Sequence, residues 1–484
     1  MGLVPNLPPL IYVDGRWIPP DCGMSIDMVC PSDGQVIGMI ARGSKEDVDT
    51  AVVAARRAFE GEWRHTTATD RGRLLIRMGQ AILANRNELA EIEASDTGKP
   101  LTLARSDITA AARYFEYYGG AADKIHGDTV PFSDGFQVMI VREPRGVTGH
   151  IIPWNYPAQM FGRTLAVALA AGNTTVLKPA EEACLSIVRL TQLSADVGFP
   201  DGVLNVIPGY GDEAGTALAS HAGIDFVSFT GSTEVGALIQ KAAGENHVPC
   251  FLELGGKCPQ IVFEDANVDM ALPTIISAIV QNAGQTCSAG SRVLVQRSIY
   301  EDFVPKLVKC MNFVSVGSHR ADLACGPVIS QIQRNRIAGF LERARKDGIP
   351  IIGEGRLDAS ADARGFYIKP TLLGPVPSSH ELATEEIFGP VLAVIPFNDE
   401  NDAVRIANGT KYGLVAGIWS ENGGRQMRVA KRLRVGQVYV NGYGAGGGIE
   451  LPFGGFKHSG HGREKGFEAL REYTVAKTIV FNHG

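Results

Sequence analysis

The chain has 484 residues, a formal net charge of −6, 45% hydrophobic and 20% charged residues, the profile of a soluble globular protein with a sizeable core. There is no basic excess of the kind that marks nucleic-acid binders, and hydrophobicity is too high for disorder. The 57 glycines exceed the roughly 7% of an average protein, which points to tight turns and close backbone approaches to ligands.

No run reaches the ~18 consecutive apolar residues of a membrane helix, and the opening MGLVPNLPPLIYVDG lacks a basic start and apolar core, so a cytoplasmic location is expected. Asn6 stands where a myristoylation signal after Gly2 needs Ser or Thr. Cys22, Cys30, Cys184, Cys250, Cys258, Cys287, Cys310 and Cys325 form no C-x-x-C pair, which argues for reduced thiols rather than a zinc ribbon or disulfide scaffold.

Helical periodicity dominates the first 120 residues. Ser44 with Asp47 resembles a capping box before Val48, Val52, Ala55 and Phe59, and Leu74, Leu75, Met78 and Ile82 continue a helical run until Gly98 and Pro100 stop it. From about 147 the pattern changes. β-rich runs at 147–152, 174–178, 203–207 and 224–229 alternate with helical stretches at 157–171, 182–197, 212–219 and 233–243, as βαβ units of a parallel sheet do. A second such series follows Gly255-Gly256, with strands at 260–263 and 292–296 and helices near 268–282 and 300–315. Segments 135–144 and 474–481 fit neither series; both are β-rich and suit an arm for strand addition between subunits or a solvent-facing hairpin. The expected fold class is α/β.

Cys287 lies in a small, polar run, NAGQTCSAGSR, after an apolar helix. It reads as an exposed nucleophile or as one more small core residue. Glu253 in LELGGK ends a β-run before two glycines, facing a cleft or a solvated loop. Asn155 in PWNYP stands between prolines at a helix start, as an oxyanion donor or a helix cap. Gly231 and Ser232 open a strand–turn–helix that suits a pyrophosphate or is an ordinary turn. Lys178 and Glu181 follow a strand, at the edge where open sheets bind ligands. A Glu at a ribose repels a 2′-phosphate and favours NAD over NADP.

With PWNYP 153–157, LKPAE 177–181, FTGSTEVG 229–236, LELGGK 252–257, GQTCS 284–288, EEIFGP 385–390 and PFGGFKHSG 452–460 in this order, the chain resembles the aldehyde dehydrogenase superfamily over nearly its whole length. Cys287 and Glu253 stand 34 residues apart, as the family has them. The resemblance implies Cys287 as nucleophile, Asn155 as oxyanion donor and Glu253 as general base. It places Glu386 on the nicotinamide ribose and Phe388 beside the nicotinamide. Lys178 and Glu181 go to the adenosine ribose, and Trp154, Gly231 and Ser232 to the cofactor cleft. The implied architecture is an NAD-binding domain over 1–122 and 145–255, a catalytic domain over 256–455 and an oligomerisation arm over 123–144 and 456–484, in a homodimer or homotetramer.

The implied reaction is NAD-dependent oxidation of an aldehyde to a carboxylic acid. Relatives that pass the acyl group to coenzyme A lack the Glu of LELGGK, so Glu253 implies hydrolysis. No metal is expected: the H-x-x-H of His458 and His461 lies in a glycine-rich run with no third ligand. The rival from another class is a cysteine acyltransferase or hydrolase without redox chemistry, which pairs its thiol with a histidine. For the substrate, Tyr156, Met160, Arg163 and Phe453 are the expected pocket residues. Arg163 shares a helix face with Asn155 and binds a polar or anionic tail or is a surface or contact arginine. Family members of the succinate semialdehyde type add a second Arg where this chain has Gln281. The glycine-rich 442–451 loop leaves room beside the thiol, so a bulky, aromatic or polar-tailed aldehyde is expected.

Overall fold

The computed structural model describes residues 9–444 and 448–484; the expectation for the chain start and the centre of the 442–451 loop lies outside the described residues. Five parallel strands stand side by side in the order Leu204–Val206, Thr174–Lys178, Val147–Ile151, Phe226–Thr230 and Cys250–Glu253. Helical crossovers cover both faces of such a sheet, so its central strands are buried on both sides. Val147–Ile151 and Thr174–Lys178 are buried at every position. Inside the sheet, Thr148 Oγ1 donates to the Thr174 carbonyl (2.9 Å) and lies 2.8 Å from His150 Nε2.

Between residues 9 and 43 the described elements are strands, not helices. Ile11–Val13 and Arg16–Ile18 form a hairpin on the sheet edge, joined by Asp14 and Gly15 with φ of 55° and 74°, the left-handed pair that suits a two-residue turn. Helices follow from Lys45, whose N-terminus carries the expected capping box: Ser44 accepts from the Asp47 N–H, and the Asp47 carboxylate accepts from the Ser44 N–H. The next run is two helices, Ala68–Ala84 and Arg86–Thr97, broken at Asn85, whose amide donates to the Ala81 carbonyl at 2.8 Å. Gly98 ends the second at φ +77°.

The second sheet runs Ile351–Glu354, Thr371–Leu373, Val391–Phe397, Arg292–Gln296, Pro259–Val262, Val415–Trp419 and Gln437–Val440, with only the first strand antiparallel. Its strands and helices close over a separate apolar core that includes Ile261, Leu294, Val394 and Ile418. A third, antiparallel sheet pairs Thr474–Asn482 with Phe136–Pro144 over nine residues, and Phe136–Pro144 with Asp128–Val130. The segment expected to be arm from 456 divides differently. Gly460–His461 pairs with Leu252 and Glu253 at the edge of the first sheet. Helix Glu468–Glu472 lies against Pro157–Ala170, and only from Thr474 does the chain join the third sheet. The glycine-rich run is drawn in because buried Ser459 donates to the Gly255 carbonyl at 2.7 Å and accepts from the Gly413 N–H at 3.0 Å.

Candidate active site

Residues at the carboxyl ends of the first-sheet strands and residues just before strands of the second sheet meet in one cavity of about 920 Å³. Its lining contains Trp154, Asn155, Tyr156, Met160, Arg163, Gly231, Ser232, Glu253, Cys287, Glu386, Phe388 and Phe453. Lys178 and Glu181 are outside this lining; they form an ion pair at 2.6 Å beyond it, and Glu181 also accepts from the Gly211 N–H at 3.3 Å.

The thiol is delivered by a turn of unusual backbone. Helix Val268–Val280 ends, and Asn282, Ala283 and Gly284 follow with φ of 49°, 53° and 71°, a left-handed run that disfavours residues with a Cβ. Side-chain bonds hold it: the Asn282 amide donates to the Asn155 carbonyl at 2.9 Å, Gln285 Nε2 donates to the Asn282 carbonyl at 3.1 Å, and Gln285 Oε1 accepts from the Ile329 N–H at 2.8 Å. Burial pushes the Cys287 thiol well above the ordinary range, and the neighbouring Glu253 charge adds to this while Arg163 opposes it.

Asn155 is not a helix cap. Helix Pro157–Ala170 is preceded by Tyr156 without a side-chain cap, and the Asn155 amide donates to the Gln285 carbonyl at 2.9 Å. An amide nitrogen has two hydrogens, so one remains for a developing oxyanion. Its backbone is anchored by a buried lysine: Lys99 Nζ donates to the Asn155 carbonyl at 3.0 Å while bonding Glu93 Oε1 at 3.1 Å and Asp107 Oδ2 at 2.6 Å. Paired twice and hydrogen-bonded, a buried cation of this kind is tolerated.

Glu253 is buried, and neither carboxylate oxygen has a hydrogen-bond partner among the described residues. Burial pushes its carboxyl up to about 8, with Arg163 pulling down and Glu464 pushing up. The two glycines of LELGGK are required by contact. A Cβ on Gly255 would stand 2.3 Å from a Glu386 carboxylate oxygen, and one on Gly256 2.4 Å from the Cys287 carbonyl. Glu386 in turn accepts from the Gly256 N–H at 2.8 Å, and burial pushes it up to about 7. Trp154 and Phe388 meet edge to face at 5.4 Å beside it. Ser232 caps helix Thr233–Glu245, accepting from the Val235 N–H at 3.2 Å. This leaves backbone N–H groups of that helix start as the donors suited to a phosphate.

Arg163 is not a surface arginine; it is buried and lines the cavity. Its guanidinium is buried, forms a direct ion pair with Glu464, lies 3.7 Å from Glu253 and stacks over Phe453 at 4.7 Å. Gln281 donates to the Tyr156 hydroxyl at 2.9 Å, which also meets Thr286 Oγ1 at 2.8 Å. Three functional neighbours escaped sequence reading: Lys99, read only within a helix stop, Gln285, and Glu464, whose surroundings GREKG carry no local sign of burial. No histidine is among the described residues that line the cavity, which removes the partner a cysteine hydrolase needs.

Residues 17–479 match the model of the aldehyde dehydrogenase family. The chain is 42% identical to aldehyde dehydrogenase 1 of Tanacetum cinerariifolium over 97% of its own length and 94% of that protein's. A crystal structure of a putative aldehyde dehydrogenase from Burkholderia cenocepacia superposes with a TM-score of 0.97 at 57% identity, covering 98% of this chain and 100% of that one. Betaine aldehyde dehydrogenase from Staphylococcus aureus, solved in complex with NAD+, gives a TM-score of 0.97 at 38% identity over 100% of this chain and 96% of that one. The chain belongs to the aldehyde dehydrogenase family.

Proposed function

We propose that this protein is an NAD-dependent aldehyde dehydrogenase that releases a carboxylic acid, with Cys287, Asn155 and Glu253 as its catalytic residues. The observation that carries this reading is their convergence, with Glu386, Trp154, Phe388 and the Gly231-Ser232 turn, on one cavity. Cys287, once deprotonated, attacks the aldehyde carbon, and the oxyanion is held by the Asn155 amide and the Cys287 backbone N–H. Bound NAD supplies the hydride acceptor and, being cationic at its nicotinamide, favours the thiolate. Glu253 then takes a proton from the water that attacks the thioester; its free oxygens are suited to that task.

The described residues fit the cofactor: a helix start for phosphate, a carboxylate at Glu386 for ribose hydroxyls and an aromatic corner. Lys178 and Glu181 hold the adenosine ribose, and Glu181 disfavours a 2′-phosphate by like charge. Glu181→Ser narrows the preference for NAD over NADP; equal catalytic efficiency of the parent on both cofactors would contradict the assignment.

Residues 1–122 and 145–255 make the cofactor-binding unit, 256–455 the catalytic unit, and 123–144 with the strand from Thr474 the arm. Exposed Val475, Val480 and Phe481 on that strand support a homodimer or homotetramer built through it. The protein works in the cytoplasm on a bulky, aromatic or polar-tailed aldehyde, for which the lining offers Leu103, Ser106, Tyr114, Met160 and Ile449. Formation of reduced nicotinamide, followed by absorbance over acetaldehyde, benzaldehyde and succinate semialdehyde, tests the reading. No reduction of NAD with any aldehyde, or acetaldehyde as the best substrate, would overturn the activity or the substrate class respectively.

A further inference from the structure

We propose that Arg163 is a positioning residue that holds Glu253 ready as a base by charge alone, with Glu464 as the opposing weight, and is not an anchor for a substrate tail. The inference rests on the reading of Glu253 as general base. Arg163 lies on helix Pro157–Ala170 with the Phe453 ring beneath it. Its guanidinium contacts Glu464 directly and stands 3.7 Å from Glu253 Oε2, too far for a hydrogen bond. A carboxylate buried among apolar groups is held protonated unless a cation is near. A cation that hydrogen-bonded it fully would occupy the lone pairs a water needs. The offset arrangement separates the two effects: Glu253 feels the positive charge, yet both its oxygens stay open as acceptors.

Glu464 keeps the guanidinium in this offset position. It is presented by the pairing of Phe453 with Glu464, in which each N–H donates to the other's carbonyl at 2.7 and 2.8 Å. The other charged or titratable groups facing Glu253 are Arg463 and Lys465 from the same segment and the Cys287 thiol. Two carboxylates therefore share the Arg163 charge, and Glu464 raises Glu253 while the arginine lowers both. An arginine committed in this way gives little to an anionic tail, because a third carboxylate at the same guanidinium would add repulsion from both glutamates.

Two substitutions push Glu253 in opposite directions, which no general loss of structure does. Arg163→Met removes the cation, so the acid limb of thioester hydrolysis moves to higher pH by about one unit or more. Glu464→Gln removes the competing anion, so the limb moves to lower pH. Arg163→Lys restores much of the parent profile. Hydrolysis is read by acid quench of the acylated enzyme after a single turnover with NAD and benzaldehyde, from pH 5.5 to 9.5. In steady state, Arg163→Met changes KM for benzaldehyde and for succinate semialdehyde by the same factor, within about threefold.

Limbs that stay in place, or move the same way in both variants, overturn the proposal. So does a loss in Arg163→Met confined to succinate semialdehyde, which would make Arg163 a tail anchor. If Arg163→Met fails to fold, Glu464→Gln decides: a downward shift supports the proposal, and an unchanged or upward limb overturns it. Glu253→Gln separates this from the underlying reading, since hydrolysis at the parent rate in that variant would remove the base itself, whatever Arg163 does.

Discussion

A thiol that must lose a proton and a carboxylate that must gain one share a buried cavity, and substitution separates their roles. Cys287→Ala leaves no group to form the hemithioacetal, so it shows neither burst nor turnover while keeping its fold. Glu253→Gln still reduces cofactor once per site and then stalls at the thioester, with steady turnover lower by about 10²–10⁴-fold. Rapid mixing distinguishes the two by the presence or absence of the burst; a Glu253→Gln variant without one would place the defect before hydride transfer. The glycine beside them is as restricted as they are. A Cβ at position 256 would stand 2.4 Å from the Cys287 carbonyl, so Gly256→Ala displaces the nucleophile and lowers kcat by about 100-fold with an unchanged circular dichroism spectrum. Parental kcat in that variant would show that the backbone around Cys287 yields freely.

At the scale of elements, what was legible in the sequence followed periodicity and ordered motifs. The alternation after 147 foretold four of the five parallel strands within two residues, and the β-run read as ending at Glu253 is the fifth, because strands buried on both faces are short apolar runs between helices. Residues 9–43 were misread, although Asp14-Gly15 between apolar runs is a hairpin signal of the ordinary kind. Their strands are three to six residues long, too short for alternation to outweigh the helical pattern that follows. Asn282, Ala283 and Gly284 were opaque for another reason: side chains distant in sequence hold their left-handed turn. Glu464 was hidden likewise, since only pairing with Phe453 carries it inward. The final strand gives a prediction at this scale. Deleting Val475–Gly484 removes the whole partner of Phe136–Pro144 beyond Thr474, so the truncated protein has a lower mass than the parent by light scattering. Equal masses would mean that subunits associate elsewhere.

Across the whole molecule, one buried histidine ties the first sheet to the segment that leads into the arm. His150 lies at the centre of the parallel sheet, stacks on Tyr473 at 5.9 Å and 8°, and meets Thr148 Oγ1 through Nε2. Tyr473 also packs edge to face on Phe226 at 5.1 Å, and its carbonyl accepts from the Asn173 amide at 3.0 Å, so the chain enters the third sheet from a point fixed on the first. Burial depresses His150 to about 3 from its ordinary 6.5. Between those values the unfolded chain binds the proton and the folded one does not, so His150 makes stability rise with pH in that window and fall as pH drops below 6.5. The slope from one such group is about 1.4 kcal/mol per pH unit. Asp107, raised by burial to about 6, works in the opposite direction between its ordinary 3.8 and that value, so the parent's total slope does not isolate the histidine. The difference between parent and variant does. His150→Gln loses stability at pH 7 through the lost stack and hydrogen bond, and the gap between the two proteins narrows by about 1.4 kcal/mol or less for each unit from pH 6 to pH 4.5. Denaturant unfolding at pH 4.5, 5.25, 6 and 7 measures it. A gap that stayed constant over that range would show that the protonation of His150 is not linked to folding.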